Sequence, residues 1–171
     1  MATRSIPLPA GAWLPTSDAA SWASAQLQVG QSSGAVPSPR WLEWLFDDTT
    51  DEHIVVMFIV PQNYVGTPTL QVYYKATSAT SGTAAFEARL SAVTDGDAQD
   101  VDADTFAAVN AGTATVPATA GYMDVISITL TNADSMAAGD TFILALNRDV
   151  SADSVTGDLR VMGCDFRYSD V

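Results

Sequence analysis

Between Glu52 and Tyr168 the chain repeats one unit: a short run with apolar residues at every second position, closed by a turn of Gly, Asp, Asn, Ser or Thr. In an extended strand alternate side chains point to opposite faces, so this period sends one face into a core and the other toward water or a partner. Thr83–Val93 shows it most clearly, with Phe86, Ala88, Leu90 and Ala92 set against Glu87, Arg89 and Ser91. A helix would scatter those residues around its circumference. Trp41–Phe46, Glu52–Val60, Thr69–Ala76, Tyr122–Thr131, Thr141–Arg148 and Leu159–Tyr168 read as further strands. Glu52–Val60 is almost continuously apolar, which predicts a strand covered on both faces. Thr105–Val116, rich in Ala, Thr and Val, reads as a weak edge strand preceded by a helical turn. About eight strands at this spacing predict an all-β, antiparallel, jelly-roll-like β-sandwich.

Composition changes near Arg40. Five of the eight prolines precede it, together with Trp13 and Trp22. Proline fixes φ and removes a backbone donor, so residues 1–40 are expected to form an extended Pro-rich arm and residues 41–171 the sandwich. A short helix from Asp18 to Leu27 is expected within the arm, capped by Asp18, because Ala19, Trp22, Ala23 and Leu27 fall near one helical face. Two tryptophans in such a segment must be buried somewhere. They either pack onto the chain's own β-domain or dock on a neighbouring subunit, and Trp13, Leu14, Trp22 and Leu27 are the candidate arm contacts. Under the second alternative, removing the first forty residues abolishes attachment and leaves the sandwich folded.

The formal charge is −13, with six arginines and a single lysine, Lys75. A phosphate backbone would be repelled, which argues against nucleic acid as a partner. The first residues lack the apolar stretch of a signal peptide, and the longest apolar run, Ile54 to Val60, is strand-sized. The expectation is a soluble product with no membrane partner. The one cysteine, Cys164, cannot form an intrachain disulfide; it falls in register with Met162, Phe166 and Tyr168 and reads as a small buried hydrophobe.

Residues that carry chemistry are sparse, and neither an enzyme activity nor a cofactor is expected. Asp95, Asp97 and Asp100 lie in the most acidic stretch, where a hard cation such as Ca²⁺ would favour clustered carboxylates. The EF-hand spacing fails there, with Asp100 where Gly is needed and Phe106 where the bidentate Glu is needed, so a solvated acidic loop is the first reading. His53 is the only histidine and starts an apolar strand, a structural position. Glu43, Glu52 and Glu87 are the carboxylates a glycosidase would have to draw on, but all three lie in or beside strand patterns. Glu87 is better explained as a cross-strand partner of Arg89, Arg148 or Arg160. Trp41, Trp44, Tyr73 and Tyr74 supply either sandwich core or an exposed aromatic platform for a sugar.

The run Thr83–Asp104, the Leu-Gln-Val-Tyr-Tyr-Lys stretch before it and the ending Gly-Asp-Leu-Arg-Val-Met-Gly-Cys-Asp-Phe-Arg-Tyr resemble virion structural proteins of tailed bacteriophages. The resemblance covers most of Thr69 to Tyr168 and implies a jelly-roll-like decoration, or cement, protein. Such a protein would bind the major capsid protein on the outside of a capsid, commonly as a homotrimer, after synthesis in the host cytoplasm. It brings no catalytic residues. The alternatives are a carbohydrate-binding β-sandwich module and a tail or baseplate component.

Overall fold

The computed structural model of the chain describes residues 1–16, 22–96 and 99–171. Two sheets, antiparallel except where the two residues Ala23–Ser24 run parallel to their neighbour, pack face to face as a jelly-roll-like β-sandwich. The strands are β1 (Thr3–Pro9), β2 (Leu14–Pro15), β3 (Ala23–Ser24), β4 (Gln26–Gln31), β5 (Arg40–Phe46), β6 (Glu52–Ile59), β7 (Tyr64–Ala76), β8 (Thr83–Val93), β9 (Asn110–Thr115), β10 (Met123–Thr129), β11 (Thr141–Arg148) and β12 (Leu159–Asp170). One sheet runs β10-β7-β12-β5-β4, with β1 also paired to β12; the other runs β2-β6-β11-β8-β9, with β3 paired to β6. Among the described residues there are two short 3-10 turns, Ala10–Ala12 and Val101–Ala103, and no α-helix.

The inner faces are the alternating apolar sets. Phe86, Ala88 and Leu90 on β8, Phe142, Leu144 and Leu146 on β11, and Leu70, Val72 and Tyr74 on β7 are all buried. Aromatic rings join the sheets at edge-on angles: Phe46 meets Phe86 at 5.6 Å and 89°, and Phe58 meets Phe166 at 5.1 Å and 64°. Such pairs are favourable because positive ring edges face negative ring faces. On one side the sandwich closes through Gly112 of β9. A Cβ there would lie 2.8 Å from Ile128 Cγ1 and 2.9 Å from the Ser127 carbonyl, so only glycine lets β9 approach β10 this closely.

The described residues before Arg40 are mostly extended, and they pair with the sandwich rather than standing free of it. β1 lies along β12, with Thr3 opposite Ser169 and Pro9 opposite Gly163; β4 lies along β5; β2 and β3 both join β6. The chain therefore crosses between the sheets before β5 begins, and Leu8, Ala10, Trp13 and Ala25 enter the common core. The expected helix is also corrected. Its residues 18–21 lie outside the described residues, and from Trp22 onward the chain is extended through β3 and β4, where Gln26, Leu27, Gln28 and Val29 alternate in the strand period.

Three other expectations change. On β6, Ile54 and Val56 are buried, but Met57 is 66% and Ile59 57% exposed, so this strand is covered on both faces only at its start. β7 begins at Tyr64 rather than Thr69, in spite of Pro68. Pro68 is tolerated because β10 pairs with β7 only from Thr69 onward, so no ladder bond on that side needs the missing donor. The Thr105–Val116 strand shortens to Asn110–Thr115, and residues 104–109 form a loop across the second sheet.

Candidate functional site

Residues of two chain segments border an open cavity of about 900 Å³ on the outer face of the second sheet. Its lining includes Val55 of β6, Arg89 of β8, Pro15 at the end of β2 with Thr16 after it, Trp22 before β3, and Asp104–Val109 before β9. The floor follows from strand register. Val55 and Arg89 both stand opposite Ala145 of β11, and partners across antiparallel strands share a face. A small residue between them leaves a trough.

Stacked rings form one wall. Trp22 lies on His53 at 4.2 Å between centroids and on Phe106 at 5.3 Å, with only 15° between the last two planes. Thr16 ties Trp22 to the sheet edge, its hydroxyl donating to the Trp22 carbonyl at 3.0 Å. The opposite loop is fixed to β8: the Ala107 amide donates to the Leu90 carbonyl at 2.8 Å, and Ser91 Oγ donates to Asp104. That Ser91 bond holds the Asp104 carboxyl below the usual range. Burial, aided by Arg89, pushes His53 down, so the imidazole under Trp22 is neutral.

Arg89 supplies the charge at the floor. Its guanidinium donates to Asn147 Oδ1 at 2.8 Å and Glu87 Oε2 at 3.0 Å, and sits 5.9 Å from the Trp22 ring. Two of its five N–H donors are used in those bonds, and the fork is held rigidly at the cavity wall. The arrangement offers an apolar ring surface beside fixed donors and an ionised acceptor. A ligand with both a flat apolar face and many hydroxyls matches that combination.

The four aromatics read as a platform are divided. Trp44 and Tyr74 are core residues; Trp44 Nε1 donates to the Ala10 carbonyl at 2.8 Å, and the Tyr74 hydroxyl donates to Asp124 at 3.1 Å. Trp41 and Tyr73 lie on the outer face of the first sheet, remote from the cavity and separated by β12. Tyr73 accepts from Arg167 Nη2 at 3.1 Å. The Trp41 ring covers Gly30, where a Cβ would come within 2.2 Å of the indole nitrogen. Trp13 is buried, its Nε1 donating to the Leu8 carbonyl at 3.2 Å, while Leu14 and Leu27 remain exposed. Only Trp22 among the expected contacts lines the cavity. Phe106 and Arg89 were not expected there, and no sequence signal marks them, because Trp22, Val55, Arg89 and Phe106 come from four separate segments.

The glycosidase candidates do not converge. Glu87 pairs with Arg89, Glu52 accepts from the Asp47 amide at 2.7 Å, and Glu43 is enclosed on the first sheet. Glu43 bonds Arg160, Lys75 at 2.8 Å and Trp41 Nε1 at 2.6 Å. Burial alone would push this carboxyl up; the bonds from Lys75, Trp41 and Arg160 outweigh it and hold the group below its ordinary 4.5. A lowered folded value means that the stabilisation is present above pH 4.5 and lost as pH falls beneath it. Glu43→Gln is therefore expected to lower the urea midpoint at neutral pH, with the difference from the parent shrinking in acid. An equal difference at both pH values would refute that assignment.

For metal binding, Asp97 of the expected set lies outside the described residues. Asp95 is exposed, and Asp100 caps the second 3-10 turn, accepting from the Asp102 amide at 3.1 Å. The carboxylates that do converge among the described residues are Asp47, Asp48 and Asp158, within 4.8 Å of one another. Asp47 already accepts from the Thr49 amide at 2.6 Å and Asp48 from the Gly157 amide at 2.5 Å. Cys164 is buried and its thiol is pushed up by that burial, as a structural residue's would be.

Comparison with solved structures places the fold. A carbohydrate-binding module of family 28, specific for non-crystalline cellulose, superposes with a TM-score of 0.52 at 12% identity, over 91% of this chain and 87% of that one. The C-terminal family 6 module of a laminarinase from Zobellia galactanivorans gives 0.46 at 9%, over 97% and 100%. An arabinose-bound α-L-arabinofuranosidase gives 0.46 at 16%; there the chain spans 95% of its own length but only 24% of the enzyme's. At 12% identity the likeness to the family 28 module shows a shared β-sandwich fold alone. No family model matches the sequence, and no curated protein does.

Proposed function

We propose that this chain is a non-catalytic binding module whose cavity on the second sheet takes a carbohydrate chain. The carrying observation is the stacked Trp22–Phe106 wall set beside Arg89 and Asp104 at the edge of an open trough. Sugar rings present an apolar C–H face to an aromatic and equatorial hydroxyls to fixed polar groups, so one surface satisfies both. The lowered Asp104 carboxyl supplies an ionised acceptor for sugar hydroxyls, and it is the one carboxylate among the cavity's described lining residues, where glycoside hydrolysis ordinarily uses a pair. The sandwich shared with a cellulose-specific module supports the same reading.

The test is calorimetry of the intact protein against soluble β-glucans and galactans. Phe106→Ala is expected to weaken binding about tenfold, ~1.4 kcal/mol, with melting temperature nearly unchanged. Absence of binding to any glycan of the panel would overturn the proposal, as would binding lost through Trp41→Ala but kept in Phe106→Ala.

A second reading follows from the resemblance to tailed-phage virion proteins: a capsid decoration protein, trimeric, that presents this module on the particle. The exposed Met57 and Ile59, side by side on β6 of a strongly acidic chain, favour it. An aliphatic pair open to water is the kind of surface a lattice contact would cover. Co-sedimentation with capsids, reduced by Met57→Glu, tests it.

A further inference from the structure

We infer that the chain pairs with a second copy of itself through the free edge of β4, forming a two-fold dimer with a sheet continuous across the interface. This inference is independent of what the cavity binds.

The argument starts from how the edges are protected. An unpaired strand edge recruits other strands unless proline, charge or covering blocks it. β1 carries Pro7 and Pro9, β2 is two residues long and ends in Pro15, and β9 and β10 close on each other at Gly112. Among the described residues, β4 has none of these devices. Its sequence, Gln26-Leu27-Gln28-Val29-Gly30-Gln31, holds no proline and no charge, and among the described residues it pairs only with β5.

Side-chain placement adds a second observation. Leu27 and Val29 share the face of Trp44 and Leu42, their partners on β5. Yet Leu27 is 47%, Val29 66% and Leu42 42% exposed, so the described residues of the second sheet leave this part of the face uncovered. The result is an aliphatic strip beside an open backbone ladder.

The occupant follows from symmetry and charge. Antiparallel pairing about a two-fold axis keeps each face on its own side, so only residues of the same parity can oppose one another. With the axis at Gln28, that residue faces its own counterpart, Leu27 faces Val29, and Gln26 faces Gly30. Each face is then matched: aliphatic on aliphatic below, amide on amide above, with Trp41 already filling the space over Gly30. At −13 per copy, two chains repel over most of their surface, and a strand without charge is where they can approach. The homotrimer implied by the phage resemblance would need a different, head-to-tail contact.

Sedimentation equilibrium of the intact protein tests this. The expected mass is twice 18.0 kDa, with the dimer favoured by added salt as repulsion is screened. Val29→Lys should return the single-chain mass while keeping a cooperative melt, since the side chain is exposed. Gln28→Cys should form a disulfide-linked dimer on oxidation, because directly opposed residues lie about 4.5–5.5 Å apart at Cα. Val29→Cys should not, since its counterpart is a two-residue diagonal away. A monomeric parent, a trimer, an oligomer indifferent to Val29→Lys, or cross-linking through Val29→Cys alone would each overturn the inference.

Discussion

Removal of residues 1–40 is expected to leave a chain with no cooperative melt. The deletion strips β1 from one edge of β12, β2 and β3 from β6, and β4 from β5, opening both sheets at once. It also removes Leu8, Ala10, Trp13 and Ala25 from the core and leaves Trp44 Nε1 without the Ala10 carbonyl. Loss of one buried tryptophan costs about 3–5 kcal/mol, and an unsatisfied buried donor about 1–3 more. Domain stabilities are about 5–15 kcal/mol, so these terms with the lost ladders exceed what is available. Near-ultraviolet circular dichroism during heating gives the answer. A truncated chain that melts sharply within a few degrees of the parent would show that the segment is peripheral. The pairing of β1 with β12 is what argues against a sandwich that folds without the segment.

The second large effect concerns Arg148. This residue is fully buried at the end of β11, and its guanidinium forks onto Asp153 at 2.9 and 3.0 Å. Its remaining donors reach the carbonyls of Val155 at 2.9 Å, Gly157 at 3.0 Å and Asp47 at 3.2 Å. One side chain thereby gathers the end of β5 and the loop leading into β12. Arg148→Ala strands the Asp153 carboxylate and three acceptors in a dry site, and is expected to cost about 3–5 kcal/mol in urea unfolding. Removing both charges, as Arg148→Met with Asp153→Leu, is expected to cost less than the single change, since no buried charge is then unpaired. If the double variant proves no more stable than Arg148→Ala, the loss arises from packing and not from the orphaned carboxylate.

Legibility from sequence followed the range of the interactions. The limits of β8 and β11 are those given by alternation alone, Thr83–Val93 and Thr141–Arg148. In both, every second residue from Phe86 to Ala92 and from Phe142 to Leu146 is an apolar core residue, so local pattern and tertiary burial agree. In the first forty residues the partners were not legible, because they lie far away in the chain, as Ser169 does from Thr3. Proline content correctly signalled extended backbone but carries no information about what lies beside it. Near Leu27 two periods competed: Ala19, Trp22, Ala23 and Leu27 fit a helical face, while Gln26 to Val29 fit a strand, and pairing with β5 settled it. The cavity was legible only in Trp22. Phe106 looks like a lone aromatic in a run of small residues until the fold of its loop brings it against that indole.

The pairing of the first strand with the last also governs how this sandwich can be joined to other chains. The Ala2 amide donates to Asp170 Oδ1 at 2.8 Å, and Arg4 closes a salt bridge to the same carboxylate at 2.6 Å. Entry and exit of the backbone thus share one corner. A host polypeptide can accept the whole unit within a surface turn without separating the residues on either side. By the same geometry a short bridge between those ends would permit new openings elsewhere, making the scaffold a candidate for circular permutation.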